Sequence, residues 1–179
     1  MGKTAVLLYP QFSEYELSVA LSILMQGKKP VIIVGLNNEP IKGESGLSCV
    51  ADTTIDKINF EEIDSLLLPG CMDIESLIDE ERLFDFIKQV ATKETVIASI
   101  SSSPFLLAKA GILRDKKFTI GMTKENMQKF DVFELENYSE DTVVWDGNII
   151  TAKGRAFVRF GNILGKALNL EFDERWYQE

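Results

Sequence analysis

Short apolar runs alternate along this chain with segments of helical periodicity, and that alternation leaves few ways to fold. Thr4–Tyr9 (TAVLLY) is apolar throughout after Thr4, as a strand buried on both faces requires. Ser13–Gln26 follows as a helix ended by Gly27, and Pro30–Leu36 (PVIIVGL) is a second strand. Glu39–Asp52, rich in glycine and polar residues, reads as a loop or small hairpin. Ser65–Leu68 is a third strand, cut off by Pro69-Gly70. Asp79–Thr92 carries Leu83, Phe86, Ile87 and Val90 on one helical face. Thr95–Ile100 is a fourth strand, and Pro104–Ala110 the helix after it, with Gly111 at its end. The pattern then weakens: Lys117–Ile120 is expected as a strand and Lys124–Phe130 as a short helix. Val143–Trp145 and Ile149–Ala152 flank Asp146-Gly147-Asn148, a hairpin turn signal. Ala156–Leu168 closes the chain as a helix, and the tail offers Trp176 and Tyr177 to the body or to a second subunit.

Strands alternating with helices imply an α/β, flavodoxin-like three-layer sandwich with a mostly parallel sheet and right-handed crossovers. The 179 residues suit one domain spanning 1–179, with no repeat or linker. Ligands in such sheets bind beyond the carboxyl ends of the strands. Three loops answer that description: Pro10–Glu16, Pro69–Asp73 and Ser101–Pro104. They converge on one crevice if the first and third strands are neighbours and the fourth adjoins the third.

Composition narrows the partners. A net charge of −9 argues against a nucleic-acid or anionic-membrane surface, each of which needs a basic patch. No apolar stretch approaches the roughly 20 residues of a membrane span. The apolar run at the N-terminus is too short for a signal peptide, so a cytoplasmic location is expected. Cys49 and Cys71 are then expected as free thiols. The chain contains no histidine, so neither a transition-metal site nor another cofactor is expected.

The segment VIASISSSPFLL (96–107) is where chemistry is expected. A strand that turns sharply into a helix lifts the turn residue above the sheet edge and aims backbone N–H groups at it. Ser101 stands at that turn, with Ser102 beside it. Ser101 reads as a nucleophile, as a ligand-lining hydroxyl, or as a small polar residue at a helix start. A nucleophilic serine needs a base, and the usual one is absent. Glu16 shares a helix face with Val19, Ala20 and Ile23, which predicts a raised pKa; its alternative reading is a first-turn acid favoured by the helix dipole. Lys153 is the one lysine suggested as a base for Ser101. Cys71 is either a small buried thiol or a thiol in the same crevice, activated near a helix N-terminus. Gly70 and Gly154 are expected to serve backbone geometry. Glu14, Asp73 and Glu75 are expected as solvated acids, and Cys49 as a packing residue.

Four segments resemble the ThiJ/PfpI family of the class I glutamine amidotransferase-like superfamily. They are YPQFSEYELSVALSIL (9–24), LLLPGCMD (66–73), VIASISSSPFLLAKAGIL (96–113) and VVWDGNIITAKGRAFVRFGNILGKAL (143–168). The resemblance places the family's acidic residue at Glu16 and its nucleophile position at Ser101. It places the oxyanion-hole backbone at Gly70, Cys71 and Ser102, and an often-present histidine near Gly121. Family members carry cysteine at the elbow and Pro-Gly-Gly in the facing loop; this chain has Ser101 and Pro-Gly-Cys. What the resemblance implies is a divergent member, often homodimeric, without the family's cysteine-dependent activity. Such a member would bind a small molecule or partner in the Glu16/Cys71/Ser101 crevice. The alternative is an amidase- or peptidase-like hydrolase acting on C–N bonds, with Ser101 or Cys71 as nucleophile and Glu16 as acid/base. A flavin site is a third reading, by fold analogy alone.

Overall fold

The computed structural model describes residues 1–178. Seven strands form one sheet: β1 (Lys3–Leu8), β2 (Val31–Gly35), β5 (Thr53–Thr54), β6 (Ile63–Leu68), β7 (Val96–Ile100), β8 (Val143–Asp146) and β9 (Ile149–Ala152). Their order is β5-β2-β1-β6-β7-β9-β8, and only the β8–β9 pair is antiparallel. The first and third expected strands are thus neighbours and the fourth adjoins the third. Helices α1 (Glu14–Gln26) and α5 (Phe157–Ala167) pack on each other, as do α2 (Glu81–Val90) and α3 (Pro104–Lys109). The central strands are buried over most of their length, and their inner stretches Ala5–Leu8, Leu66–Leu68 and Ile97–Ala98 are apolar.

The hairpin expected within 39–52 is β3 (Ile41–Lys42) paired antiparallel with β4 (Ser48–Cys49). The strand expected over Lys117–Ile120 does not form. Phe118 makes a single bridge to Tyr138, and the Thr119 N–H is taken by the Thr151 hydroxyl rather than by a neighbouring strand. The buried Phe118 ring stacks on Phe133, so this segment is held by its side chains. The helices expected over Asp79–Thr92 and Ala156–Leu168 are shorter, at Glu81–Val90 and Phe157–Ala167, and α4 (Lys124–Phe130) forms as expected. In the tail, the Tyr177 hydroxyl bonds Ser22 and Gln26 of α1, while Trp176 stays exposed.

Parallel register aligns the carboxyl ends of the strands. Val6 pairs Leu67, Leu68 pairs Ser99, and Ile100 pairs Ala152. The loops after β1, β6, β7 and β9 therefore leave one edge of the sheet together.

Candidate functional site

Ser101 is the first residue beyond β7, and its φ of +64° lies in the left-handed region. A residue with a Cβ is held there only when its surroundings fix it. Here the Ser101 N–H donates to the Ala152 carbonyl at 2.8 Å, and its own carbonyl accepts from the Gly121 N–H at 2.8 Å. The chain enters β7 buried, turns at Ser101 and starts α3 at Pro104 within three residues. Below the turn, the buried Ser103 hydroxyl donates to the Leu68 and Ile100 carbonyls and tethers the start of α3 to β6 and β7. Ser101 is half-buried and Ser103 fully buried, so the run of three serines divides into an elbow residue, a clamp and an anchor.

Glu16 comes from the first turn of α1 and is 2% exposed. One carboxylate oxygen, Oε2, accepts the Gly70 N–H at 2.7 Å. The other, Oε1, faces Gly154: a methyl on the Gly154 Cα would fall 2.7 Å from Oε1, 3.1 Å from the Tyr15 hydroxyl and 3.2 Å from Ser101 Oγ. A methyl on Gly70 would lie 2.5 Å from Oε2 and 3.0 Å from Ser101 Oγ. Both glycines are thus places where backbone closes on the site, as expected for them. Burial pushes the Glu16 carboxyl up; the Gly70 N–H and the Ser101 and Tyr15 hydroxyls pull partly back. The raised pKa expected from its apolar helix face is what the packing produces.

At Cys71 the facing loop favours the first of its two readings, the small buried thiol. The residue is 8% exposed, and the thiol donates to the Pro10 carbonyl, with a sulfur–oxygen distance of 3.3 Å. Burial pushes the thiol up to about 11, which disfavours the thiolate. The half-buried Cys49 is a free thiol as well. The Cys71 backbone is also occupied: its N–H donates to Ser102 Oγ at 3.0 Å, and the Ser102 hydroxyl donates to the Cys71 carbonyl at 3.1 Å. Of the backbone groups expected to stabilise an oxyanion, the Gly70 N–H is held by Glu16 and the Cys71 N–H by Ser102.

One further expectation is corrected: Lys153 does not reach Ser101 as a base, since its ammonium pairs with Glu140 at 3.4 Å and lies 5.8 Å from the centre of the Tyr138 ring. Glu14 is a first-turn acid as expected, and its carboxylate also accepts the Ser45 and Leu47 N–H groups and holds the β3–β4 turn. Partial burial of Glu14 acts upward, and those backbone donors outweigh it, leaving the pKa low. Gly121, where the resemblance puts a histidine, lies with its backbone against Ser101.

Sequence reasoning missed Tyr9 and Tyr15. Buried Tyr9 donates its hydroxyl to the Pro69 carbonyl and sets the turn that presents Gly70. Tyr15 stacks edge-on against Phe157 of α5, which brings its hydroxyl beside Glu16. A tyrosine next to a strand-ending proline loop was the one available signal for Tyr9. For Tyr15 the decisive fact is the α1–α5 contact, which the sequence does not display. Among the described residues, no group of three or more Cys, Asp or Glu side chains is placed to hold a metal ion, and no helix is long and apolar enough to cross a membrane.

The model of the DJ-1/PfpI family matches residues 2–166. The protein DJ-1alpha of Drosophila melanogaster is 32% identical over 153 residues, covering 83% of this chain and 69% of its own length. A deglycase of Pyrococcus horikoshii is 30% identical over 144 residues, covering 80% of this chain and 84% of its own. Among solved structures, a DJ-1 superfamily protein of Agrobacterium tumefaciens superposes with a TM-score of 0.87 at 22% identity, covering 98% of this chain and 94% of that one.

Proposed function

The chain belongs to the DJ-1/PfpI family, and from that premise we propose that it is a member whose crevice binds a small molecule without the cysteine chemistry expected of the family. The observation that carries this reading is the state of the elbow. The residue in the strained position is a serine, and the groups that would activate it are otherwise engaged. Glu16 is the carboxyl beside Ser101, and even with its pKa raised a carboxylate is far less basic than a serine alkoxide, so it deprotonates the hydroxyl poorly. The Gly70 and Cys71 N–H groups are already satisfied by Glu16 and Ser102, so neither is free to hold an oxyanion. What remains is a preorganised cluster of polar groups. The Ser101 and Tyr15 hydroxyls and one oxygen of Glu16 face the same space beside Gly154.

Curated relatives of this chain include deglycases of Pyrococcus horikoshii and of Escherichia coli. The test is therefore turnover of methylglyoxal-treated N-acetyl-lysine and N-acetylcysteine by the full chain and by Ser101→Ala. The expected result is that both match buffer. Turnover by the wild type that Ser101→Ala abolishes would refute the proposal.

One observation favours a second reading, hydrolysis at C–N bonds. The strain at Ser101 is retained although glycine would remove it, and strain of that kind is kept where a hydroxyl must be aimed. Cleavage of peptide p-nitroanilides, lost in both Ser101→Ala and Glu16→Gln, would support it over the binding reading.

A further inference from the structure

Beside the elbow lies an open cavity of about 400 Å³. Gly121, Lys124, Tyr138, Glu140, Lys153 and Arg155 line it. Its charges are three cations and one anion, in a chain whose net charge is −9. It shares its walls with the elbow. The Gly121 N–H donates to the Ser101 carbonyl, and Lys153 immediately precedes Gly154, which closes on Glu16 and Ser101.

A carboxylate of the chain itself occupies the cationic end. Glu140 pairs with Lys124 at 3.2 Å and with Lys153 at 3.4 Å, and accepts the Tyr138 hydroxyl at 3.1 Å. Both ammonium groups also lie over the Tyr138 ring, at 5.5 and 5.8 Å from its centre, so the aromatic face holds them in place. The Glu140 side chain is itself 70% exposed and hangs from an open loop, whereas that of Lys153 is only 14% exposed. Arg155 is exposed and forms no ion pair with another described residue. A cationic cluster anchored by Lys153 and filled by a solvent-exposed acid of the chain itself is the form of a subsite that exchanges that acid for a ligand's anion.

We propose that Lys124, Lys153 and Arg155 form an anion subsite that takes the carboxylate or phosphate of a small molecule in place of Glu140 and directs the rest of the molecule toward Ser101. This rests on the reading that the Ser101 crevice binds a small molecule, and it names the chemical class. An exposed ion pair contributes little, because water screens it, while a largely buried ammonium contributes more. Lys153 is therefore the main determinant and Lys124 a minor one, and Glu140 competes with the ligand.

The experiment is an amide NMR titration of the full chain with pyruvate, with inorganic phosphate and with neutral pyruvamide. Pyruvate or phosphate is expected to shift Gly121 and Lys153 saturably, and pyruvamide to leave them in place. Saturation by pyruvate alone makes the natural ligand a carboxylate; saturation by phosphate alone makes it a phosphate ester. Lys153→Met should weaken binding about tenfold and the exposed Lys124→Met about threefold. Glu140→Gln should tighten it severalfold. No saturable shift in either the wild type or Glu140→Gln, equal binding of pyruvamide, indifference to Lys153→Met, or indifference to both Lys124→Met and Glu140→Gln would overturn the subsite. Shifts at Gly121 and Lys153 that never reach Ser101 or Ser102 would keep the subsite but remove its link to the elbow, and with it the small-molecule reading of that crevice.

Discussion

Replacing Ser101 by glycine should stabilise the protein relative to replacing it by alanine, although alanine is the smaller chemical change. Both substitutions remove the hydroxyl beside Glu16. They differ in what a Cβ costs at φ +64°. A residue with a Cβ in the left-handed region is disfavoured by roughly 1–2 kcal/mol. Glycine escapes that penalty but loses about 0.5–1 kcal/mol more conformational freedom on folding. The balance is about 0.5–1 kcal/mol in favour of Ser101→Gly over Ser101→Ala. The backbone will not relax to spoil the comparison, because it is held on both sides by the Ala152 carbonyl and the Gly121 N–H at 2.8 Å each. Urea unfolding at matched protein concentration reads the difference. With a slope of about 2–3 kcal/mol/M, the glycine midpoint should lie about 0.2–0.5 M above the alanine one, at unchanged slope. Equal midpoints, or a lower one for glycine, would refute the claim that the elbow stores backbone strain.

Three further outcomes follow from the same geometry. Because the Glu16 carboxyl is raised by burial, the folded chain holds its proton more tightly than the unfolded chain. That contribution is fully present below the ordinary carboxylate pKa and is lost as pH rises through the native one. Glu16→Gln mimics the protonated form, so it should match wild type near pH 4 and exceed it increasingly toward pH 8 in denaturant midpoint. A pH-independent difference would show that Glu16 titrates normally. Limited alkylation at pH 7.5 followed by mass spectrometry should label Cys49 before Cys71, whose buried thiol is pushed up to about 11; the reverse order would restore Cys71 as a reactive group. Gly154→Ala should cost about 1–3 kcal/mol by overpacking, since its methyl would meet Glu16 Oε1 at 2.7 Å. Most of that loss should disappear in a Glu16→Ala background, and strict additivity of the two changes would place the clash elsewhere.

The alternation of apolar runs and amphipathic helices was enough to specify a mostly parallel sheet, because local periodicity and the handedness of crossovers are properties of consecutive residues. Which strands are neighbours, and so which loops meet at one edge, entered only as a condition that the order β1-β6-β7 meets. The burial of Glu16 was legible from local periodicity, because its neighbours on the helix face are apolar. The segment around Phe118 was not legible. An apolar run reads as a strand, but the Thr119 N–H found the Thr151 hydroxyl instead of a partner strand. Nor were the roles within Ser101-Ser102-Ser103, since three identical side chains acquire different partners only when β6, β7 and the Pro69–Cys71 turn are packed together. The fate of Cys71 and Lys153 was decided in the same way. Whether a thiol is activated or a lysine is a base depends on which carbonyl or carboxylate faces it, and Pro10 and Glu140 lie 61 and 13 residues away along the chain. Sequence spacing specifies what a residue can do; in this protein the long-range packing at the sheet edge decided which of those capacities were already spent on holding the fold.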